Sequence, residues 1–265
     1  MTPRSAQVKT EDGSANRVPA APAAARPDIE GQLNAREREL LTSAILKAEK
    51  KPRVAVEVGT WLGGGSTLHI LRALERNGEG HLWGIEADRS IYERMLSNLR
   101  AAAPEALHRF TPLFGFSQQV IPEWVASQPA GFQVDFAFLD GGNNPMEQIL
   151  EFRLLDPHIP VGGQLMAHDA KLRKGKWLRP YLSSLDHWKT EIHDVSDEGL
   201  LYARKVAAAP SPQSRSAANR RLLAMRLHPV EVAAAVLPRS VCGFILSLLP
   251  HRTSTLLADG RRVRK

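Results

Sequence analysis

The chain has 265 residues, 43% of them hydrophobic, with a formal net charge of +7; this suits one large globular domain with appendages. Residues 206–265 carry ten Lys/Arg against two acids, so the rest is close to neutral and nucleic-acid binding by the body of the chain is not expected. Cys242 is the single cysteine, which excludes an internal disulfide and a cysteine metal cluster and suggests a reducing, cytoplasmic setting. No secretory signal and no spanning helix are expected from the pattern of apolar residues.

Residues 1–27, rich in Ala, Pro and Ser, have no hydrophobic period and read as a disordered segment. Residues 28–50 read as a helix, with Ile29, Leu33, Leu40, Leu41, Ile45 and Leu46 as its apolar stripe. From there strands and helices alternate: strand 53–58, helix 66–76, strand 81–86, helix 89–102, strand 108–114, helix 117–128, strand 133–139, helix 145–155 and strand 161–168. Two more strands are expected near His187–Ile192 and Leu200–Lys205, joined as a hairpin by the turn-rich link Asp194–Gly199. Such alternation with short links predicts an α/β fold, a mostly parallel sheet with helices on both faces and ligands at the carboxyl ends of the strands. With its N-terminal helix the domain is expected to span 28–205. Residues 206–218 read as a linker, followed by a basic helical tail at 219–265. Within the tail, Ser240–Leu249 is strongly apolar and flanked by Arg239 and Arg252; it suits either packing against the core or a second subunit, or peripheral contact with a membrane surface.

The densest signal lies at Val54–Thr67. Val54, Val56 and Val58 suit a strand buried on both faces, Gly59 follows at once, and Gly63, Gly64 and Gly65 allow a sharp turn into a helix capped by Ser66 or Thr67. Glu57 lies inside the strand, giving the spacing E-x-G-x-x-x-G. Glu86 ends the next strand, where a doubly wound fold holds ribose hydroxyls. These residues resemble the class I S-adenosylmethionine-dependent methyltransferases: motif I as Glu57 to Ser66, the ribose acid as Glu86. The resemblance covers roughly residues 53–205. It implies a Rossmann-like sheet of seven strands with the last antiparallel, and S-adenosyl-L-methionine as cofactor. The expected cofactor contacts are Glu57, Gly59, Thr60, Trp61, Gly63, Gly64, Ser66, Glu86 and Asp140. Ser117 and Gln118, after the third strand, join them at the adenine, where Phe116 replaces a usual acid. Trp61 could flank the methionine part of the cofactor or simply pack on the first helix.

Asp140 ends the fourth strand; His168 and Asp169 end the fifth. Adjacent strands lie ~4.8 Å apart, so these side chains can converge on one ion or one substrate. The set resembles that of metal-dependent O-methyltransferases of the catechol, caffeoyl-CoA and antibiotic-tailoring types. It departs from them in Ala170, where an Asn or Asp is frequent, and in Asn143, where the catechol type carries a lysine. Magnesium on Asp140 and Asp169, another divalent ion through His168, and His168 as a metal-free general base all stay open. The cations Lys171, Arg173, Lys174, Lys176 and Arg179 follow, and could attract a phosphate or carboxylate of the acceptor. The expectation is methyl transfer to a hydroxyl oxygen of a small molecule. The rivals are a non-catalytic, membrane-associated protein on the same fold and a nicotinamide oxidoreductase, against which the glycine spacing argues.

Overall fold

The computed structural model describes residues 29–142, 144–228 and 232. The first 28 residues, Asn143, Cys242 and most of the basic tail, with the expected anchor at Ser240–Leu249, lie outside the described residues.

One sheet of seven strands runs in the order β3-β2-β1-β4-β5-β7-β6. The strands are β1 (Val54–Val58), β2 (His81–Glu86), β3 (Phe110–Phe114), β4 (Phe136–Leu139), β5 (Gln164–Ala167), β6 (Trp188–His193) and β7 (Leu200–Lys205). β1 to β5 pair in parallel, whereas β7 runs antiparallel to both β5 and β6. This is the expected mostly parallel sheet, with the final hairpin reversing the last strand. β4 and β5 are buried at every position, which explains why they read as unbroken apolar runs rather than alternating ones.

Helices α1 (Ala35–Leu46), α2 (Thr67–Asn77) and α3 (Arg89–Ala102) cover one face. Helices α4 (Ser117–Ala126), α5 (Pro145–Leu155), α6 (Leu178–Leu182) and α7 (Pro212–Arg226) cover the other. Alternation along β1 divides its side chains: Ala55 joins the α1–α3 core, and Val56 and Val58 join the α4–α7 core. Among the described residues, no helix is long and apolar enough to cross a membrane.

Three of the differences from the sequence expectation have a clear local cause. The first helix starts only at Ala35, because Asn34 forms a capping box: its side chain accepts from the Arg36 and Glu37 backbone N–H groups, and Glu37 reaches back to the Asn34 N–H. Ile29 and Leu33 are buried all the same, from a non-helical segment. The third strand starts at Phe110, because Pro104–Arg109 forms a 3-10 helix. The stretch read as a linker is partly helical, since α7 begins at Pro212, is capped by Ser211, and buries Ala218 and Leu222.

Candidate active site

Four strands end in a row. The register pairs Val58 with Ile85, Val58 with Leu139, and Leu139 with Ala167. The next residues, Glu86, Gly59, Asp140 and His168, therefore stand side by side at the carboxyl edge. Backbone bonds lock the row: the Gly59 N–H donates to Ile85, Asp140 to Val58 and His168 to Leu139, at 2.9–3.0 Å. Gly59 has φ +87°, and a Cβ on it would lie 2.6 Å from the Gly141 nitrogen. Only glycine allows this approach, which brings Asp140 up against the end of β1.

Glu57 is fully buried and accepts a hydrogen bond from Ser66 Oγ. Ser66 thus stands at the N-cap position of α2 but turns its hydroxyl to Glu57 instead of capping the helix. Burial, with Asp140 and Glu86 adding negative charge nearby, pushes the Glu57 pKa up to about 8 against hydrogen bonds from Ser66 and Thr67. The unfolded chain releases this proton near the ordinary value, while the native state keeps it, so stability is full below that value and falls as pH rises towards 8. Glu57→Gln should flatten this decline. Urea midpoints measured near about pH 5 and about pH 8 check it, and equal declines in wild type and variant would refute the assignment.

Glu86 holds the turn together. Its Oε2 accepts the Trp61 N–H at 2.9 Å, and its Oε1 accepts those of Ala87 and Asp88, both at 3.0 Å. Oε2 keeps a further lone pair for a ligand hydroxyl, whereas both acceptor positions of Oε1 are taken. Trp61 packs among the side chains of the α1–α3 face and holds φ +44°; Asp169 holds φ +58°. These are the two non-glycine residues with positive φ among those described, and both lie at this edge, where backbone strain is commonly concentrated.

The glycine loop has a second occupant. Gly63 turns with φ +87°, but Gly64 is needed for close approach: a Cβ there would lie 2.2 Å from the Ile29 carbonyl oxygen and 2.4 Å from that of Glu30. The segment before α1 therefore lies directly on the loop. Thr60 is buried, and its hydroxyl has no partner among the described residues. After β3, Phe114 and Phe116 are exposed; Gln118 is half-buried, and the Ser117 hydroxyl turns inward to donate to Glu151 Oε1 at 2.7 Å. Glu151, on α5, is a buried acid that sequence reasoning missed. Burial pushes its pKa up to about 7, against the Ser117 hydrogen bond.

Asp140, His168 and Asp169 do converge, offering three ligand atoms within 4.8 Å of one another. His168 Nδ1 lies 3.4 Å from both Asp140 and Asp169, and its Nε2 lies 3.4 Å from Glu37 Oε1. Burial alone would lower the His168 pKa, but Asp140 and Glu37 raise it to about 9. The neighbouring carboxylates thus favour the protonated form of the ring. Glu37, itself buried, also accepts from Ser196 Oγ at 2.5 Å and so ties α1 and the β6–β7 turn to the site.

Lys174 enters the same space. Its Nζ lies 3.0 Å from Asp140 Oδ1 and closer still to Asp169 Oδ2. Burial would raise the Asp140 pKa, but Lys174 and then His168 hold it below the usual carboxylate range. Lys174 already pairs with both carboxylates, filling the space between them. As arranged, the set does not fit a divalent ion. Lys171, a second member of the basic run, is also engaged, with Asp194 and the Ser196 carbonyl. Glu37 and Glu151 are candidates that the sequence did not single out, and Lys174 was legible only as one member of a basic run. The Asn34–Glu37 capping-box pattern was a signal for the first, and the basic run for the last; the burial of Glu151 has no local signal.

Residues 56–170 match the family model described as a methyltransferase domain. That stretch, from β1 to just past β5, is where the chain is similar to methyltransferase domains. No curated protein matches it in sequence. Among solved structures, the domain is similar to a protein from Klebsiella pneumoniae described as an O-methyltransferase (18% identity, TM-score 0.55). It is also similar to the O-methyltransferase TomG of Streptomyces achromogenes, involved in tomaymycin synthesis and solved with SAM (20%, 0.54). A third is the O-methyltransferase of Bacillus cereus, solved with SAH (17%, 0.52). Each comparison covers 66% of this chain and 82% of the other. At these identities the likeness is one of fold: the sheet and its helices are those of class I methyltransferases.

Proposed function

We propose that the domain moves the methyl group of S-adenosyl-L-methionine to a hydroxyl oxygen of a small molecule. The observation that carries this reading is the division of the strand edge into two halves. Glu57, Gly59, Trp61 and Glu86 form a cradle at β1 and β2; Asp140, His168, Asp169 and Lys174 form a charged cluster at β4 and β5. Cofactor-bound neighbours of the same fold support the choice of methyl donor.

In this reading Glu86 Oε2 accepts a ribose hydroxyl. Glu57 Oε2 and Thr60 Oγ1, buried without partners among the described residues, gain partners on binding; each such atom otherwise costs about 1–3 kcal/mol. The cluster faces the acceptor. The cations Lys174 and His168 favour an acceptor oxygen that has released its proton to solvent, as preorganised donors do for a developing anion. That oxygen attacks the methyl carbon in line. The O–CH3 bond forms as the S–CH3 bond breaks, and the sulfonium leaves as the neutral thioether. Alignment of oxygen, carbon and sulfur is the chief contribution of the fold.

Isothermal titration of S-adenosylhomocysteine into wild type and Glu86→Ala tests the donor site. Binding by wild type, weakened at least ~10-fold in the variant through loss of hydrogen bonds to a charged group, is the expected result. Absence of binding by the folded wild-type protein would overturn the reading.

A further inference from the structure

We infer that the Lys174 ammonium is the built-in cation of this site and takes the place a divalent metal ion would occupy between Asp140 and Asp169. The inference rests on the acceptor half of the proposed site, and not on the identity of the methyl donor.

Four observations place the lysine there. Its Nζ bridges the two carboxylates, at 3.0 Å from Asp140 and closer to Asp169. Its side chain is only 18% exposed, so the contact is part of the interior rather than a surface ion pair. The loop that delivers it is built to turn back: the Leu172 N–H donates to the Asp169 carbonyl, those of Gly175 and Lys176 donate to Leu172, and a Cβ at Gly175 would lie 2.3 Å from the Asp169 carbonyl oxygen. Finally, Ala170, which follows Asp169, offers no ligand atom.

A metal ion entering the cluster would meet the like charge of the ammonium already there. A divalent ion on Asp140 and Asp169 would sit beside the ammonium and the His168 ring, and would have to expel Lys174 first. With Lys174 in place, its ammonium supplies the positive charge and a directed N–H donor to an acceptor oxygen arriving over Asp140.

Mn²⁺ binding, followed by the loss of the free-ion electron paramagnetic resonance signal, tests this without any turnover. Wild type should bind no Mn²⁺ at the cluster, while Lys174→Ala should bind one ion at least ~100-fold more tightly, because the repelling charge is gone and both carboxylates are freed. Lys174→Met keeps the aliphatic stem and should behave likewise if the alanine variant does not fold. Stoichiometric Mn²⁺ binding by wild type that Asp169→Asn removes would overturn the inference. So would folded Lys174 variants that bind Mn²⁺ no better than wild type. A parallel S-adenosylhomocysteine titration in EDTA separates the two readings: failure there strikes the methyl-donor site, whereas the Mn²⁺ result alone decides the role of Lys174.

Discussion

Gly64→Ala should detach the segment before α1 from the glycine loop and lower stability by roughly 3–5 kcal/mol, the burial of two large aliphatic side chains. The added methyl would stand 2.2 Å from the Ile29 carbonyl oxygen and 2.4 Å from that of Glu30, backbone atoms that cannot swing aside as a flexible side chain can. Relief requires residues 29–33 to leave, taking Ile29 (7% exposed) and Leu33 (2% exposed) out of the α1–α3 core. Gly65→Ala is the internal comparison, since its Cβ would meet nothing closer than the Gln32 nitrogen at 3.3 Å. Urea unfolding of both variants, with hydrogen exchange over residues 29–34, reads the effect. If Gly64→Ala is no less stable than Gly65→Ala and leaves exchange unchanged, the segment does not depend on that approach.

Asp140→Asn should cost about 3–5 kcal/mol, the usual penalty when one partner of a buried charge cluster is removed. The variant keeps the shape of the side chain but leaves Lys174 and His168 with one carboxylate fewer between them. The His168 pKa should fall from about 9, because Asp140 is the strongest of the groups that raise it. The pH dependence follows. A histidine whose folded pKa is raised contributes stability that is fully present below its unfolded value and is lost as pH rises through the folded value. Wild type should therefore lose stability between the ordinary histidine pKa and about 9, and Asp140→Asn should lose less over that window. Urea midpoints across this range, with a proton NMR titration of the His168 ring, provide the measurement. An unshifted His168 titration would show that Asp140 does not govern it.

Much of the architecture was legible in the chain itself, and the reason is local. The β1, β4 and β5 segments are apolar on both faces, which marks central parallel strands. The charges and glycines between them mark the links, so the strand ends that carry Glu57, Glu86, Asp140, His168 and Asp169 could be read before any coordinates. Once right-handed crossovers place parallel strands side by side, residues that end them must share one edge. The row Glu86, Gly59, Asp140 and His168 is the outcome.

What a side chain meets at that edge was decided by the tertiary structure alone. Lys174 read as one cation of a run that could attract an acidic acceptor, yet a turn at Leu172–Gly175 delivers it onto Asp140 and Asp169. Glu37 is not part of the apolar stripe expected for its helix, but the capping box and the β6–β7 turn bury it against His168 and Ser196. Gly64 looked like a cradle for a ligand and also serves the backbone of Ile29 and Glu30. Local pattern specifies strands, helices and their ends because hydrogen bonding and burial period are set within a few residues. The partners of a buried charge come from segments distant in the chain, such as Glu37 beside Ser196 and Asp140 beside Lys174, and only the folded arrangement brings them within the few ångströms over which charge and hydrogen bonding act.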